Sequence, residues 1–139
     1  MDALDLRKAP PREPRKELVG ILFLPRSIDK LCATLPGGDL GVYAIAGFTE
    51  KMFETLGIPL EDVTAVVRTS HSDTEVAAYV NERAKPGSID VWNAWVSARE
   101  PKNGNRAEAI AAYPFLAERA DLRLSLDVLE EEDREMFAP

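Results

Sequence analysis

Phe48-Thr49-Glu50-Lys51-Met52-Phe53-Glu54-Thr55-Leu56-Gly57-Ile58-Pro59-Leu60 carries the reading on which the fold turns. With Ile45 just upstream, Phe48, Met52, Phe53 and Leu56 recur at the three-and-four spacing of one apolar helix stripe. Gly57 stands where a helix C-cap would, and Pro59 restarts the chain with Leu60, Val63 and Val67 on one side. Two helices are therefore expected to meet at a tight corner around Gly57-Ile58-Pro59.

The same reasoning extends outward. Upstream, Pro25 suits the first turn of a helix whose apolar face is Ile28, Leu31, Cys32 and Leu35, with Pro36-Gly37-Gly38 as its stop. Downstream, Ser72-Asp73-Thr74-Glu75 has the S-x-x-E spacing of a capping box ahead of Val76, Tyr79 and Val80. Ser88 can cap a further helix carrying Ile89, Trp92, Trp95 and Val96, and Pro101-Lys102-Asn103-Gly104 reads as a turn. Residues 105–113 favour a helix, which Pro114 should break into two pieces. Leu122, Leu124, Leu126 and Val128 alternate as a strand would, but Ser125 followed by acidic residues looks like a helix start, and a last helix from about Leu126 is expected. Leu18 to Leu24 is an apolar run too short for periodicity to choose between helix and strand.

Ahead of it, Ala9 to Lys16 holds three prolines among alternating charges, which favours an extended arm or wrapping segment. The reading is an all-α protein of about six short helices around one core. Residues 1–16 form an irregular Pro-rich arm, and residues 17–139 a single helical domain.

Composition narrows the function classes. Seventeen Lys and Arg against 24 Asp and Glu give a net charge of −7, which repels nucleic-acid phosphates. The seven residues of Leu18 to Leu24 fall far short of the roughly 20 needed to span a bilayer, and neither nucleic acid nor membrane is expected as a partner. The lone cysteine, Cys32, fits a reducing cytoplasm. One histidine and one cysteine fall short of a structural zinc site, and no cofactor motif is present. The Pro36 to Gly41 glycine cluster lacks the Lys-Ser/Thr of a phosphate-binding loop.

Leu24-Pro25-Arg26-Ser27-Ile28-Asp29-Lys30, Gly41-Val42-Tyr43, Phe48, Phe53 to Ile58 and Trp92-Asn93 together resemble an uncharacterised bacterial family, domain of unknown function 5069. The resemblance runs from about Arg15 to Arg134 and implies a fold without an activity. It singles out Arg26, Asp29, Lys30, Tyr43 and Asn93 as site candidates. Members often carry a polar residue or cysteine where this chain has Ile45-Ala46-Gly47.

Each candidate has two readings. Arg26, Asp29 and Lys30 share the polar side of their helix; they suit an anion-binding cluster, but a solvated intrahelical ion pair worth about 0.2–0.5 kcal/mol is the expected state. His71, between Ser70 and Ser72, is the one side chain whose unperturbed charge changes near neutrality, though adjacent residues cannot converge as a triad does. Trp92, Asn93 and Trp95 either line a pocket, two indoles with an amide between them to read a ligand's hydrogen bonds, or belong to the core, as Trp92 and Val96 at helical spacing more often do. Cys32 is expected on the apolar side, as a small hydrophobe.

The leading reading is a non-catalytic helical module that binds a protein partner or a small ligand. The competing one is an enzyme, or a diverged enzyme, whose site assembles Arg26, Asp29, Tyr43, His71 and Asn93. A third has Leu18 to Leu24 as the face of a homodimer.

Overall fold

The helix–corner–helix at Gly57 is present in the computed structural model, which describes all 139 residues. Phe48–Leu56 forms α2, and Leu60–Thr69 forms α3. Gly57 between them takes a left-handed φ of 76°. A Cβ there would crowd the Lys85 side chain, which is flexible enough to shift, so it is the backbone conformation that favours glycine. Upstream lies α1 (Leu24–Ala33), with Pro25 in its first turn; downstream come α4 (Asp73–Arg83) and α5 (Ser88–Ala98). The Ser72 Oγ accepts from the Glu75 N–H at 3.4 Å, as the capping box requires, but Glu75 Oε2 turns back to the His71 N–H at 3.1 Å. After a 3₁₀ turn at Pro101–Gly104, α6 (Arg106–Ala112) ends ahead of Pro114, a second 3₁₀ turn covers Pro114–Glu118, and α7 (Ser125–Met136) closes the chain.

The chain is mostly helical, with seven α-helices where about six were expected. It is not wholly so. The undecided run from Leu18 divides: Glu17–Leu18 (β1) and Ile21–Leu22 (β2) pair antiparallel, with Leu18 opposite Ile21, and the remainder enters α1. Ile21, Phe23 and Leu24, three of the seven residues of the run read as a dimer face, are fully buried within the chain, and Val19 and Gly20 are exposed.

Backbone contacts divide the chain into two compact units, Met1–Asn93 and Ala94–Pro139. In the first, α1 packs against α3 and α4, and α3 against α2 and α4. Ile28, Met52, Phe53, Val63, Val67 and Val76 are buried there. Residues 1–16 hold no helix or strand, but they are laid onto this unit: Asp5 bridges Asp39, and Leu6, Pro11 and Pro14 are buried. In the second, Ala109, Leu116 and Val128 form a small core with Tyr113, Phe115 and Leu122 packed around it. The Arg106 guanidinium donates to three carbonyls, those of Leu116 (3.0 Å), Arg119 (2.8 Å) and Leu122 (2.6 Å). The alternating stretch from Leu122 is therefore loop followed by helix, not strand.

The turn of the β1–β2 hairpin is Val19-Gly20, with φ of 48° and 75°. Positive φ at both central positions is the mark of a type I′ turn, for which a β-branched residue is the wrong choice. Val19 is 46% exposed, so packing does not repay the strain. Val19→Asn, which suits this conformation, is expected to raise unfolding free energy by about 1 kcal/mol, read as a higher urea midpoint at unchanged slope.

Candidate functional site

The polar side of α1 was expected in water, and the structure overturns that. All ten residues of the helix are buried; Arg26 is 1% exposed, Lys30 8% and Asp29 9%. Ions so placed need partners, because leaving water costs each of them several kcal/mol. Residues distant in sequence supply them.

Asp29 is gripped by Arg12. The Arg12 backbone N–H donates to Asp29 Oδ2 at 2.8 Å, Nε to both carboxylate oxygens at 3.1 and 3.2 Å, and Nη2 to Oδ1 at 3.0 Å. Its Nη1 reaches Asp73 Oδ2 at 2.8 Å, in the first turn of α4, and Nη2 also touches the Pro25 carbonyl at 3.3 Å. One guanidinium thus ties residues 1–16 to α1 and α4 together. Burial works against its charge, but the bonds to Asp29 and Asp73 outweigh that and leave its pKa above the ordinary arginine value.

Arg26 donates through Nη1 to the Arg12 carbonyl at 3.3 Å. Its Cζ lies 5.7 Å from the Phe23 ring centre and 5.4 Å from that of Tyr43, and Lys30 Nζ lies 5.4 Å from Phe23, all within cation–π reach. Phe23 itself is fully buried at a left-handed φ of 74°. It packs edge-on against Phe48 (5.6 Å) and Trp92 (6.4 Å). Ser27 and Thr49 share a buried hydroxyl contact at 2.9 Å that joins α1 to the first turn of α2.

Trp92 and Asn93 serve the hairpin. The Trp92 indole N–H donates to the Leu22 carbonyl at 2.8 Å; Asn93 Oδ1 accepts from the Leu22 N–H at 3.0 Å, and its Nδ2 donates to the Gly20 carbonyl at 2.7 Å. The amide offered as a ligand reader is engaged by the chain's own backbone.

A cleft of about 390 Å³ opens on the same unit, lined by Met1, Asp2, Leu4, Asp29, Cys32 and His71. Of the five residues of the enzyme reading, Asp29 and His71 line it. The Cys32 thiol is buried, and burial first, then the negative charge of Asp29, pushes its pKa up. It is a protonated thiol, not a thiolate. The Asp29 carboxylate is committed to Arg12, so the cleft holds no armed nucleophile and base pair. No group of three or more His, Cys, Asp or Glu side chains is arranged to hold a metal ion.

Arg12, Asp73 and the lining role of Cys32 escape sequence reasoning. The Arg12–Asp29 and Arg12–Asp73 pairs span 17 and 61 residues, and no local spacing signals them.

Near the cleft, Asp5 is held by Arg7. The Arg7 side chain, then its backbone N–H, lowers the Asp5 pKa from 3.8 to about 2. A carboxyl lowered on folding adds stability above its unfolded pKa, and that increment fades as pH falls from about 4 toward 2. Carbon-detected NMR should find the Asp5 carboxyl titrating near 2, and Arg7→Ala should return it to the ordinary range. Separately, Asn93→Ala should cost about 1–2 kcal/mol, since it strips two bonds from the hairpin, and should expose the Leu22 amide to faster exchange.

No curated protein matches the chain. The model of one family, described as a domain of unknown function (DUF5069), matches residues 8–135. That span takes in Arg12, the whole charged face of α1, the hairpin and most of α7, and on this extent the chain belongs to the DUF5069 family.

Proposed function

We propose that this chain is a non-catalytic helical module that binds a small polar ligand, or a short segment of a protein partner, in the cleft between residues 1–4, α1 and the α3–α4 connection. The observation that carries the reading is the state of its groups: Asp29 is neutralised by Arg12 and Cys32 is kept protonated by burial. What remains is recognition. His71, on the loop before α4, and Asp2 offer hydrogen-bonding groups, while Met1, Leu4 and Cys32 offer apolar contact.

The enzyme reading draws on five polar residues, of which two line this cleft. Arg26 and Tyr43 stack near Phe23, and Asn93 binds the hairpin. No helix of the chain is long and apolar enough to cross a membrane. A reducing cytoplasm suits the single thiol. A net charge of −7 favours protein or small-molecule partners over nucleic acid, and a second copy of the chain is one such partner.

Amide-correlation NMR with a panel of small cationic, zwitterionic and anionic metabolites tests this. Saturable shifts confined to residues 2–4, 29, 32 and 71 are expected, whereas shifts centred elsewhere remove the cleft as the site. In parallel, iodoacetamide should modify Cys32 at least about tenfold more slowly in the native chain than in urea. Equal rates would restore the nucleophile.

A further inference from the structure

We propose that residues 1–12 act as a strap that forms one wall of this cleft and that Arg12 is the latch that holds the strap in place. The inference rests on the cleft being the binding site and adds how access to it is controlled.

The walls of the cleft differ in kind. Asp29 and Cys32 belong to the buried helix α1, and His71 to the connection that leads into α4. Met1, Asp2 and Leu4 belong to a segment with no helix or strand of its own. That segment is held by a short series of contacts, which begins with the Met1 ammonium donating to the Ser70 carbonyl at 2.6 Å and includes an exposed Arg7–Asp39 ion pair at 3.4 Å. The Leu4 N–H donates to the Cys32 carbonyl at 3.3 Å, and the Leu4 carbonyl accepts from the Asp39 N–H at 2.9 Å. The Leu6 N–H donates to the Asp39 carbonyl at 2.8 Å, and the Leu6 side chain is buried. Segments with few such ties open at the low end of a protein's free-energy scale.

Arg12 closes the series from the inner end. It reaches Asp29 on α1 and Asp73 on α4 with one side chain, and its backbone N–H and carbonyl engage Asp29 and Arg26. The residue that fastens the strap therefore occupies a carboxylate of the cleft wall. Opening would uncover that wall and free Asp29 in one movement. Because Nε and Nη2 meet the carboxylate side-on, the chemistry able to take the latch's place is another planar guanidinium on a ligand.

The test uses the full chain with Arg12→Ala and no ligand for the cleft. Cys32 should react with iodoacetamide at least about tenfold faster than in the parent, and the Leu4, Leu6 and Asp39 amides should lose exchange protection while α3 and α4 keep theirs. Methylguanidinium at millimolar concentration should restore the slow rate in Arg12→Ala but not in Arg12→Ala with Asp29→Asn. An unchanged Cys32 rate in folded Arg12→Ala, or equal rescue in both backgrounds, overturns the latch. Should Arg12→Ala fail to fold, Arg12→Lys and Asp73→Asn carry the same readout; intermediate acceleration supports the latch and none overturns it. A silent metabolite panel beside an accelerated Cys32 refutes the ligand reading alone, and the converse refutes the strap alone.

Discussion

The first unit is built around a helix that should be costly to bury. Three ionised side chains within five residues of α1 leave water, and the cost of dehydrating them exceeds what their own Coulomb attraction along one helix returns. The remedy comes from outside the helix. Arg12 neutralises Asp29, and the faces of Phe23 and Tyr43 lie beside the two cations. Each of these partners then fixes a different piece of chain: the N-terminal segment, the entry to α1 and the connection before α2. The charged stretch that reads most specifically in the sequence thus acts as an organiser of its surroundings.

That arrangement explains where sequence reading succeeds. The α2–α3 corner is legible because its determinants are local: an apolar stripe, a glycine in a left-handed cap and a proline that restarts the chain. The break at Pro114 and the cap at Ser72 are legible for the same reason. The polar side of α1 misleads because periodicity records that Arg26, Asp29 and Lys30 share a side and is silent on what covers it. Periodicity likewise cannot announce a hairpin whose turn is Val19-Gly20, since valine is not a residue that favours positive φ.

The candidate residues divide along the same line. Arg26, Asp29, Lys30, Tyr43 and Asn93 come to notice through their resemblance to a family pattern and Trp92 through its indole; the structure gives five of these six cation–π or backbone partners in the first unit and gives Asp29 a place in the cleft wall. His71 comes to notice for its chemistry alone and shares that cleft. Arg12 draws no notice among prolines and alternating charges, although its one side chain joins residues 1–16 to α1 and α4. A side chain that joins elements 17 and 61 residues away is visible only once the chain is folded.

The second unit solves a smaller problem with similar means. Its segment from Leu116 to Leu122 leaves a short 3₁₀ turn through single turn bonds, and the Arg106 guanidinium collects three of its carbonyls. A connection shaped by one planar fork has its length dictated by the span of that fork. Surface loops ordinarily absorb inserted or deleted residues with little penalty, but here an added residue would carry one carbonyl out of register with the others. An insertion between Leu116 and Leu122 is therefore expected to cost more than one in an ordinary loop.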